Sequence, residues 1–239
     1  ERPAKGPKPG LSLERIVAAG VAVAQSEGLA SVSMGKVAAE AGATAMALYR
    51  YVGNKDELLS LMTDSALGPP PEVPRPGQDW REGLTEWAWA ENAAYRRNPW
   101  VLQLPIQGIP ALPNQFAWMD RGLQCLNGVG GDGISGPVEI LDDDEKLSVI
   151  LLISSVVRSY SQIERGIAEA MAAAGSDPQQ MMAAMGERFT LLVDPARFPA
   201  LAAVVASGQF SKADPLDKEL TFGLERALDG VAAMIASRS

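Results

Sequence analysis

Side chains suited to binding phosphate groups and base edges are concentrated between residues 33 and 55. Ser33 and Thr44 each precede a short helical pattern, where a hydroxyl can cap a helix whose first N–H groups favour phosphate oxygens. Lys36 and Arg50 add positive charge. Small or flexible apolar side chains that can touch thymine methyl groups follow Thr44, namely Ala45, Met46 and Ala47. The chemistry expected of this stretch is DNA binding.

Two short helices must hold these side chains. The pattern predicts one helix from Met34 to Ala41 and a second from Ala45 to about Tyr51, with the bend at Gly42. The apolar side chains that can pack inward are Val37, Ala38, Ala41 and Leu48. This arrangement predicts a helix-turn-helix, which presents its second helix to the major groove. The small residues Ala38 and Gly42, four positions apart, are expected to let the two helices approach closely. An ordinary helical hairpin in a core is the alternative, because the same spacing occurs in many helical proteins.

Flanking helices complete a domain over residues 1–67. A helix is predicted from Ser12 to about Ser26, and another from Lys55 to Leu67. Residues 1–10 contain three prolines and three basic residues, so we expect a flexible arm that is either solvated or laid along DNA. Five prolines between residues 69 and 76 predict a linker.

Residues 78–239 are expected to form a second, larger helical domain. Helices are predicted over Asp79–Arg97, about Pro99–Gln103, Pro113–Leu126, Glu145–Ala174, from Asp177-Pro178 to Leu192, from Asp194-Pro195 and Phe198-Pro199 to about Ser207, and from about Pro215 to Ala236. No stretch alternates with period two, so the fold class is all-α. The glycine-rich residues 127–140 lack a phosphate-binding pattern and are expected to form a surface loop.

The charge of the chain is unevenly distributed. The net charge is −8, but residues 1–67 carry seven basic and seven acidic side chains and are neutral, so the acidic excess lies in residues 68–239.

Composition argues against catalysis. The chain has no histidine, the commonest general base and zinc ligand. The acidic run Asp142–Glu145 suits the start of a helix better than a metal site. We therefore expect no enzyme, no catalytic residues, no metal and no cofactor.

The same features predict a cytoplasmic location. The single cysteine, Cys125, excludes an intrachain disulfide and fits a reducing compartment. The first ten residues lack the apolar segment of a signal peptide. The longest apolar run, near Leu147–Val157, is too short to span a membrane.

The run from Leu13 to Leu59 resembles the DNA-binding domain of the TetR family of bacterial transcriptional regulators. The segment MALYRYVGNKDELL carries most of the likeness. The later segments LPNQFAWMDRGLQCL and DDDEKLSVILLISSVVRSYSQIE resemble, less specifically, the ligand-binding half of the tetracycline-repressor branch.

The resemblance implies further roles at the DNA. Tyr49 matches a tyrosine that contacts DNA, and Lys55 stands in a phosphate-contact position at the start of a helix. Tyr51 either joins Arg50 at the DNA or fills the core of the three helices. Gly35 stands where some relatives place a guanine-reading arginine, so base reading is expected to depend on the helix that begins at Ala45 and on the N-terminal arm.

The resemblance also places a ligand pocket among the middle helices. The candidate lining residues are Trp87, Trp89, Asn92, Trp100, Gln103, Phe116, Met119, Arg158 and Gln162. Trp87 and Trp89 are two residues apart on a helix and cannot both face one cavity. Core packing is the alternative for each aromatic residue.

Taken together, the sequence predicts a homodimeric, ligand-responsive repressor. Its partners would be double-stranded operator DNA and a small, largely apolar effector, with no membrane. Two helices from each subunit would form the dimer interface, and paired heads would read a palindrome. The alternatives are a helical ligand-binding protein whose DNA role is vestigial, an enzyme built on the same pocket, and an activator.

Overall fold

A computed structural model describes residues 10–105, 111–127, 141–212 and 217–238. Within these ranges every regular element is a helix, which confirms the all-α prediction. The α-helices are α1 Leu13–Glu27, α2 Met34–Glu40, α3 Ala45–Leu48, α4 Lys55–Leu67, α5 Trp80–Arg97, α6 Pro113–Asn127, α7 Asp143–Ala174, α8 Pro178–Leu192, α9 Pro199–Ala206 and α10 Asp217–Ala236. Short 3-10 helices cover Leu29–Ser31, Pro99–Gln103 and Gln209–Ser211.

Side-chain caps begin the first four α-helices. Each capping oxygen accepts a hydrogen bond from the backbone N–H three residues later, and the capping residues are Ser12, Ser33, Thr44 and Asn54. The predicted third helix extended to Tyr51, but α3 ends at Leu48. The chain turns there because Tyr51 N–H and Val52 N–H both donate to the Leu48 carbonyl, which brings Val52 into the core.

The first four α-helices, called the head below, share one hydrophobic core. Ile16, Val37, Leu48 and Leu58 are fully buried in it. Full burial of such a side chain contributes about 1.5–3 kcal/mol, so a core of this kind can hold even the one-turn helix α3 in place. Two residues of the Pro99–Gln103 helix, Trp100 and Val101, belong to the same core.

Contacts divide the chain into two compact units. The first comprises residues 1–158 and 227–239, and the second comprises residues 159–226. The predicted division into residues 1–67 and 78–239 follows the proline-rich linker in the sequence. The two units above follow the contacts between residues, so their boundary lies elsewhere. Helices α7 and α10 each contribute residues to both units.

The second unit has its own close contacts. Phe189 of α8 meets Phe210 edge to face, with ring centroids 4.6 Å apart. A side chain at Gly186 would collide with Ser211, and one at Gly223 would collide with Tyr160. Small residues therefore allow these elements to approach each other.

The acidic run begins α7, as its pattern predicts. Glu145 N–H donates to Asp142 Oδ1 at 2.9 Å, and Asp142 N–H donates to Glu145 Oε2 at 3.1 Å. This reciprocal pair satisfies two helix-end donors.

In the described ranges no group of three or more acidic or cysteine side chains could hold a metal ion, and no described helix is long and apolar enough to cross a membrane. Most of the predicted arm (residues 1–9) and of the glycine-rich loop (128–140) lies outside the described residues.

Candidate nucleic-acid interface and ligand cavity

Helix α3 is anchored on one side and open on the other. Leu48 is fully buried, whereas Met46 is 77% exposed and Tyr49 is 52% exposed. Arg50 and Lys55 are also exposed, and Ala45 and Ala47 are partly exposed. The buried leucine fixes the helix while the exposed side chains present a surface called the α3 surface below: Thr44, Ala45, Met46, Ala47, Tyr49 and Arg50.

Gly42 makes the turn before α3 for a conformational reason. Its φ is +67°, in the left-handed region that favours glycine. Ala43 N–H donates to the Ala38 carbonyl at 2.8 Å and Gly42 N–H to the Ala39 carbonyl at 3.0 Å, which closes α2 in a Schellman motif. A side chain at Gly42 would meet nothing within 4 Å. The expectation that Gly42 serves close helix approach is therefore wrong; its backbone angle is what the turn needs.

Tyr51 lies at the surface and does not fill the core. It is 43% exposed, and its hydroxyl donates a 2.8 Å hydrogen bond to the Leu11 carbonyl. Val52 occupies the core instead. Tyr51 thus holds the chain that enters α1 beside the α3 surface.

The other predicted DNA contacts differ in availability. Ser33 and Thr44 are exposed and use their hydroxyls as caps. The Lys36 ammonium forms an ion pair with Glu27. A phosphate would have to compete with that carboxylate for Lys36, so Arg50 and Lys55 are the stronger cationic candidates.

A cavity of about 560 Å³ lies in the first unit. Its walls are α4, α5, the Pro99–Gln103 region, α6 and α7. Most lining groups are apolar, as is usual for a small-molecule site. The lining includes Leu59, Ser60, Thr63, Ala66 and Leu67 of α4; Trp87, Glu91, Ala94 and Tyr95 of α5; Val101, Leu104 and Pro105; Ala111 and Leu112; Gln115, Trp118 and Met119 of α6; and Leu147, Ile150, Leu151, Ser154, Ser155 and Arg158 of α7.

Glu91 is the centre of a polar corner in this cavity. It is 6% exposed, and its carboxyl accepts hydrogen bonds from the Tyr95 hydroxyl at 2.9 Å and from the Ser154 hydroxyl at 3.2 Å. Burial raises the pKa of Glu91 to about 7, although both hydroxyls and nearby Arg158 act in the opposite direction. The carboxyl is therefore balanced between its two protonation states near neutral pH.

Arg158 completes the polar corner, which comprises Glu91, Tyr95, Ser154 and Arg158. Its Nη2 donates to the Leu104 carbonyl at 2.6 Å, and its guanidinium lies 5.9 Å from the centroid of the Tyr95 ring. Burial, reinforced by the Glu91 charge, raises the pKa of Tyr95, so this phenol stays protonated.

Three of the nine candidate pocket residues line the cavity: Trp87, Met119 and Arg158. The structure places the other six elsewhere. Trp100 is buried in the core of the head. Asn92 is buried outside the lining, Trp89 is partly exposed, and Gln103 and Phe116 are exposed. Gln162 belongs to the second unit.

Sequence reasoning missed Glu91 and Tyr95 as cavity residues. Trp87, Glu91 and Tyr95 are spaced by four, so they share one helical face, and a carboxylate on an apolar face is a signal for a site. It also missed α4 as a wall, because contacts between distant segments leave no local pattern.

Asp64 of α4 caps α6. Its carboxylate accepts from Gln115 N–H at 3.0 Å and from the Asn114 backbone and side-chain nitrogens at 3.4 and 3.1 Å. The Trp118 indole N–H donates to the Gly68 carbonyl at 2.8 Å, and the Trp87 indole N–H donates to the Trp118 carbonyl at 3.0 Å. Cavity-lining helices are thus bonded directly to the end of a head helix.

Asn98 makes a second connection between the cavity region and the head. Its side chain donates to the Ala66 carbonyl of α4 at 3.1 Å and accepts from Gln25 of α1 at 2.8 Å. Trp100 then enters the core of the head while the adjacent Val101 lines the cavity. A ligand that moves this segment would therefore act on two head helices.

Two family models match the chain. Residues 16–62 match the model "Bacterial regulatory proteins, tetR family", and residues 73–235 match "Tetracyclin repressor-like, C-terminal domain". The chain is similar to the HTH-type transcriptional repressor DrrR1 of Streptomyces coeruleorubidus, with 35% identity over 254 residues that cover 99% of this chain and 83% of that protein.

Solved structures share the fold. The TetR family protein ActR of Streptomyces coelicolor in complex with actinorhodin aligns with a TM-score of 0.74 and 24% identity, covering 94% of this chain and 98% of that one. ActR in complex with (S)-DNPA aligns with a TM-score of 0.72 and 23% identity, covering 95% and 99%.

Proposed function

The chain belongs to the tetR family of bacterial regulatory proteins, and from that premise we propose that it represses transcription at a palindromic operator until a small, largely apolar molecule enters its cavity. The observation that carries the proposal is the pairing of the exposed α3 surface with a cavity whose wall includes α4, the last helix of the head. The head that carries the α3 surface thus also contributes its last helix to the wall of the cavity.

The character of the α3 surface supports DNA reading. Met46 and Tyr49 are large apolar or aromatic side chains that are exposed to solvent. Their exposure does not stabilise the isolated chain, and exposed apolar side chains of this kind are typical of a surface that binds a partner. Arg50 and Lys55 supply charge for phosphates, and Met46 and the neighbouring alanines suit thymine methyl groups. One head offers few base contacts, so we propose that two chains act as a dimer on two half-sites.

The relatives support a small-molecule effector. ActR has been solved with actinorhodin and with (S)-DNPA, and the cavity here is mostly apolar with a single polar corner. Trp87 and Trp118 provide aromatic surface, with ring centroids 5.7 Å apart. An aromatic effector suits these walls.

Release follows if the effector prefers one conformation of α4. Leu59, Ser60 and Thr63 line the cavity, while the neighbouring Leu58 and Met62 are fully buried in the core of the head. A ligand in the cavity therefore acts on the helix that supports the head. A difference of a few kcal/mol in ligand affinity between two conformations is enough to shift the population of the DNA-binding state.

Selection of bound duplexes from a random DNA pool tests the proposal. We expect enrichment of an inverted repeat, with an affinity that falls steeply as salt increases, because phosphate contacts release counterions. Enrichment of no sequence, with only weak and non-specific binding, would instead indicate a helical ligand-binding protein with a vestigial head.

A further inference from the structure

We propose that the effector carries one acidic group that is already ionised in solution at neutral pH, a carboxylate or a strongly acidic phenol, which pairs with Arg158 while Glu91 takes up a proton from the solvent. This inference rests on the proposed function, because it names the chemical class of ligand that the same cavity accepts. It follows from the charges and hydrogen bonds of the polar corner.

The charge balance of the cavity favours an anionic ligand over a cationic one. Glu91 and Arg158 are the only carboxylic acid and the only base among the described lining residues, and the phenol of Tyr95 stays protonated. Arginine stays charged, so Glu91 is the group that can change its state. An anionic ligand with protonated Glu91 leaves the filled cavity neutral, whereas an ammonium ligand leaves a net buried positive charge even when Glu91 is ionised. An unbalanced charge in an apolar cavity is costly.

The hydrogen bonds agree with this balance. Both hydroxyls that contact Glu91, those of Tyr95 and Ser154, donate to its carboxyl. When Glu91 is protonated it gains an O–H donor, which can donate to a ligand oxygen. Alternatively, this O–H can donate to the hydroxyl of Tyr95 or Ser154, and that hydroxyl can then donate to the ligand. Arg158 uses Nη2 on the Leu104 carbonyl, and a guanidinium has five N–H donors in all. The corner can therefore offer two kinds of donor to one acidic group.

The groups that face Glu91 come from two of the walls, α5 and α7. From α5, Tyr95 contacts it, and from α7, Ser154 and Arg158 face it. The described lining residues of α4 and α6 carry no titratable side chain, and the nearby carboxylate of Asp64 binds the start of α6 instead. Among these groups, Glu91 is therefore the one whose protonation changes when the ligand binds.

The direction of the pH effect follows. Burial gives free Glu91 a pKa of about 7, and an anion at Arg158 raises that pKa further. The acidic ligand binds the protonated form, so its affinity is greatest below pH 7 and falls above it. The loss approaches about tenfold for each pH unit above 7.5, and binding at pH 8 takes up close to one proton for each ligand.

Three matched probes test the inference: 2-anthroic acid, 2-(hydroxymethyl)anthracene and 2-(aminomethyl)anthracene. They share a three-ring skeleton and differ in one substituent, which is anionic, neutral or cationic at pH 7. Their binding is followed by quenching of the tryptophan fluorescence of the full chain, to which the lining residues Trp87 and Trp118 contribute. We expect 2-anthroic acid to bind at least tenfold more tightly than the amine at pH 7. Calorimetry in buffers of different ionisation enthalpy measures the proton uptake.

Variants assign the effect to its residues. Glu91→Gln is a neutral isostere, so it should bind 2-anthroic acid with no pH dependence between 6.5 and 8.5. Glu82→Gln changes an exposed carboxylate on the same helix and should retain the wild-type profile. Arg158→Gln should weaken binding of the acid at least tenfold, whereas Arg97→Gln, at an exposed site, should not. Unchanged binding of the hydroxymethyl probe shows that each cavity remains folded.

Several results would overturn the inference. These are tighter binding of the amine, equal binding of all three probes, no binding of any, or affinity for the acid that does not fall with increasing pH. A pH dependence that survives in Glu91→Gln would also overturn it. None of these results bears on operator binding by the ligand-free protein, which tests the proposed function separately.

Discussion

Gly42 determines how α3 is presented, through one backbone angle. Its φ of +67° is unfavourable for any residue with a Cβ, and the space around it is open. Gly42→Ala should therefore destabilise the protein by about 1–2 kcal/mol through backbone strain alone. Urea unfolding measures this loss.

Gly35→Ala is the matched control for that substitution. Gly35 lies inside α2, and an added Cβ there also meets nothing within 4 Å. Because its backbone is helical, alanine should stabilise the protein by about 0.5–1 kcal/mol. Equal effects of the two substitutions would contradict the explanation given for Gly42.

Tyr49 has a role that stability measurements should not detect. Its side chain is half exposed and projects from the end of α3. Tyr49→Ala should weaken operator binding by about tenfold or more, because it removes a contact at the DNA. Unfolding free energy should change by less than about 0.5 kcal/mol.

Fluorescence anisotropy with a labelled operator measures that affinity. Tyr49→Phe keeps the ring and tests whether the hydroxyl contributes. An unchanged affinity in Tyr49→Ala would show that the α3 surface does not meet DNA through this side chain.

Local chemistry explains why the helix starts could be predicted. Ser12, Ser33 and Thr44 cap their helices because a hydroxyl beside a free N–H group needs no distant partner. The end of α3 was predicted three residues too late, since Val52 is drawn into a core built from other helices. Likewise, Trp100 resembles any aromatic pocket residue in sequence, and only packing places it in the core of the head.

The contact between α4 and α6 gives a prediction about coupling. Asp64→Ala leaves the N–H groups of Asn114 and Gln115 without their acceptor, which should cost about 1–3 kcal/mol of unfolding free energy. The same variant should bind operator but respond less to effector, because α6 no longer holds α4. Thermal or urea unfolding and anisotropy with and without 2-anthroic acid measure the two effects.

Asp64→Asn and Asp120→Ala are the controls. The amide keeps one acceptor oxygen and should lose less stability than alanine. Asp120 lies on the exposed side of α6, where its carboxylate accepts from Gln124, and its loss should cost less than about 0.5 kcal/mol. A full response to effector in Asp64→Ala would exclude this contact from the switch.

The helices of the whole chain could be predicted because they follow from the periodicity of apolar residues. Contacts between segments that are distant in sequence were harder to predict. The all-helical class and the exposed α3 surface follow from spacing and from turn residues such as Gly42. The cavity combines α4 with residues about twenty to one hundred positions away, so its walls could not be found from local patterns. The division into packing units at residues 158 and 226 falls inside two continuous helices, where the sequence shows no break.

We propose that two chains place their α3 surfaces in successive major grooves of one operator. Sedimentation of the chain on a selected operator duplex, combined with chemical protection of guanine N7 in the major groove, tests it most directly. We expect two chains for each duplex and two protected segments about 34–36 Å apart, and at a limiting protein concentration both segments should lose protection in Tyr49→Ala. One chain for each duplex, or protection that is unchanged in that variant, would contradict it.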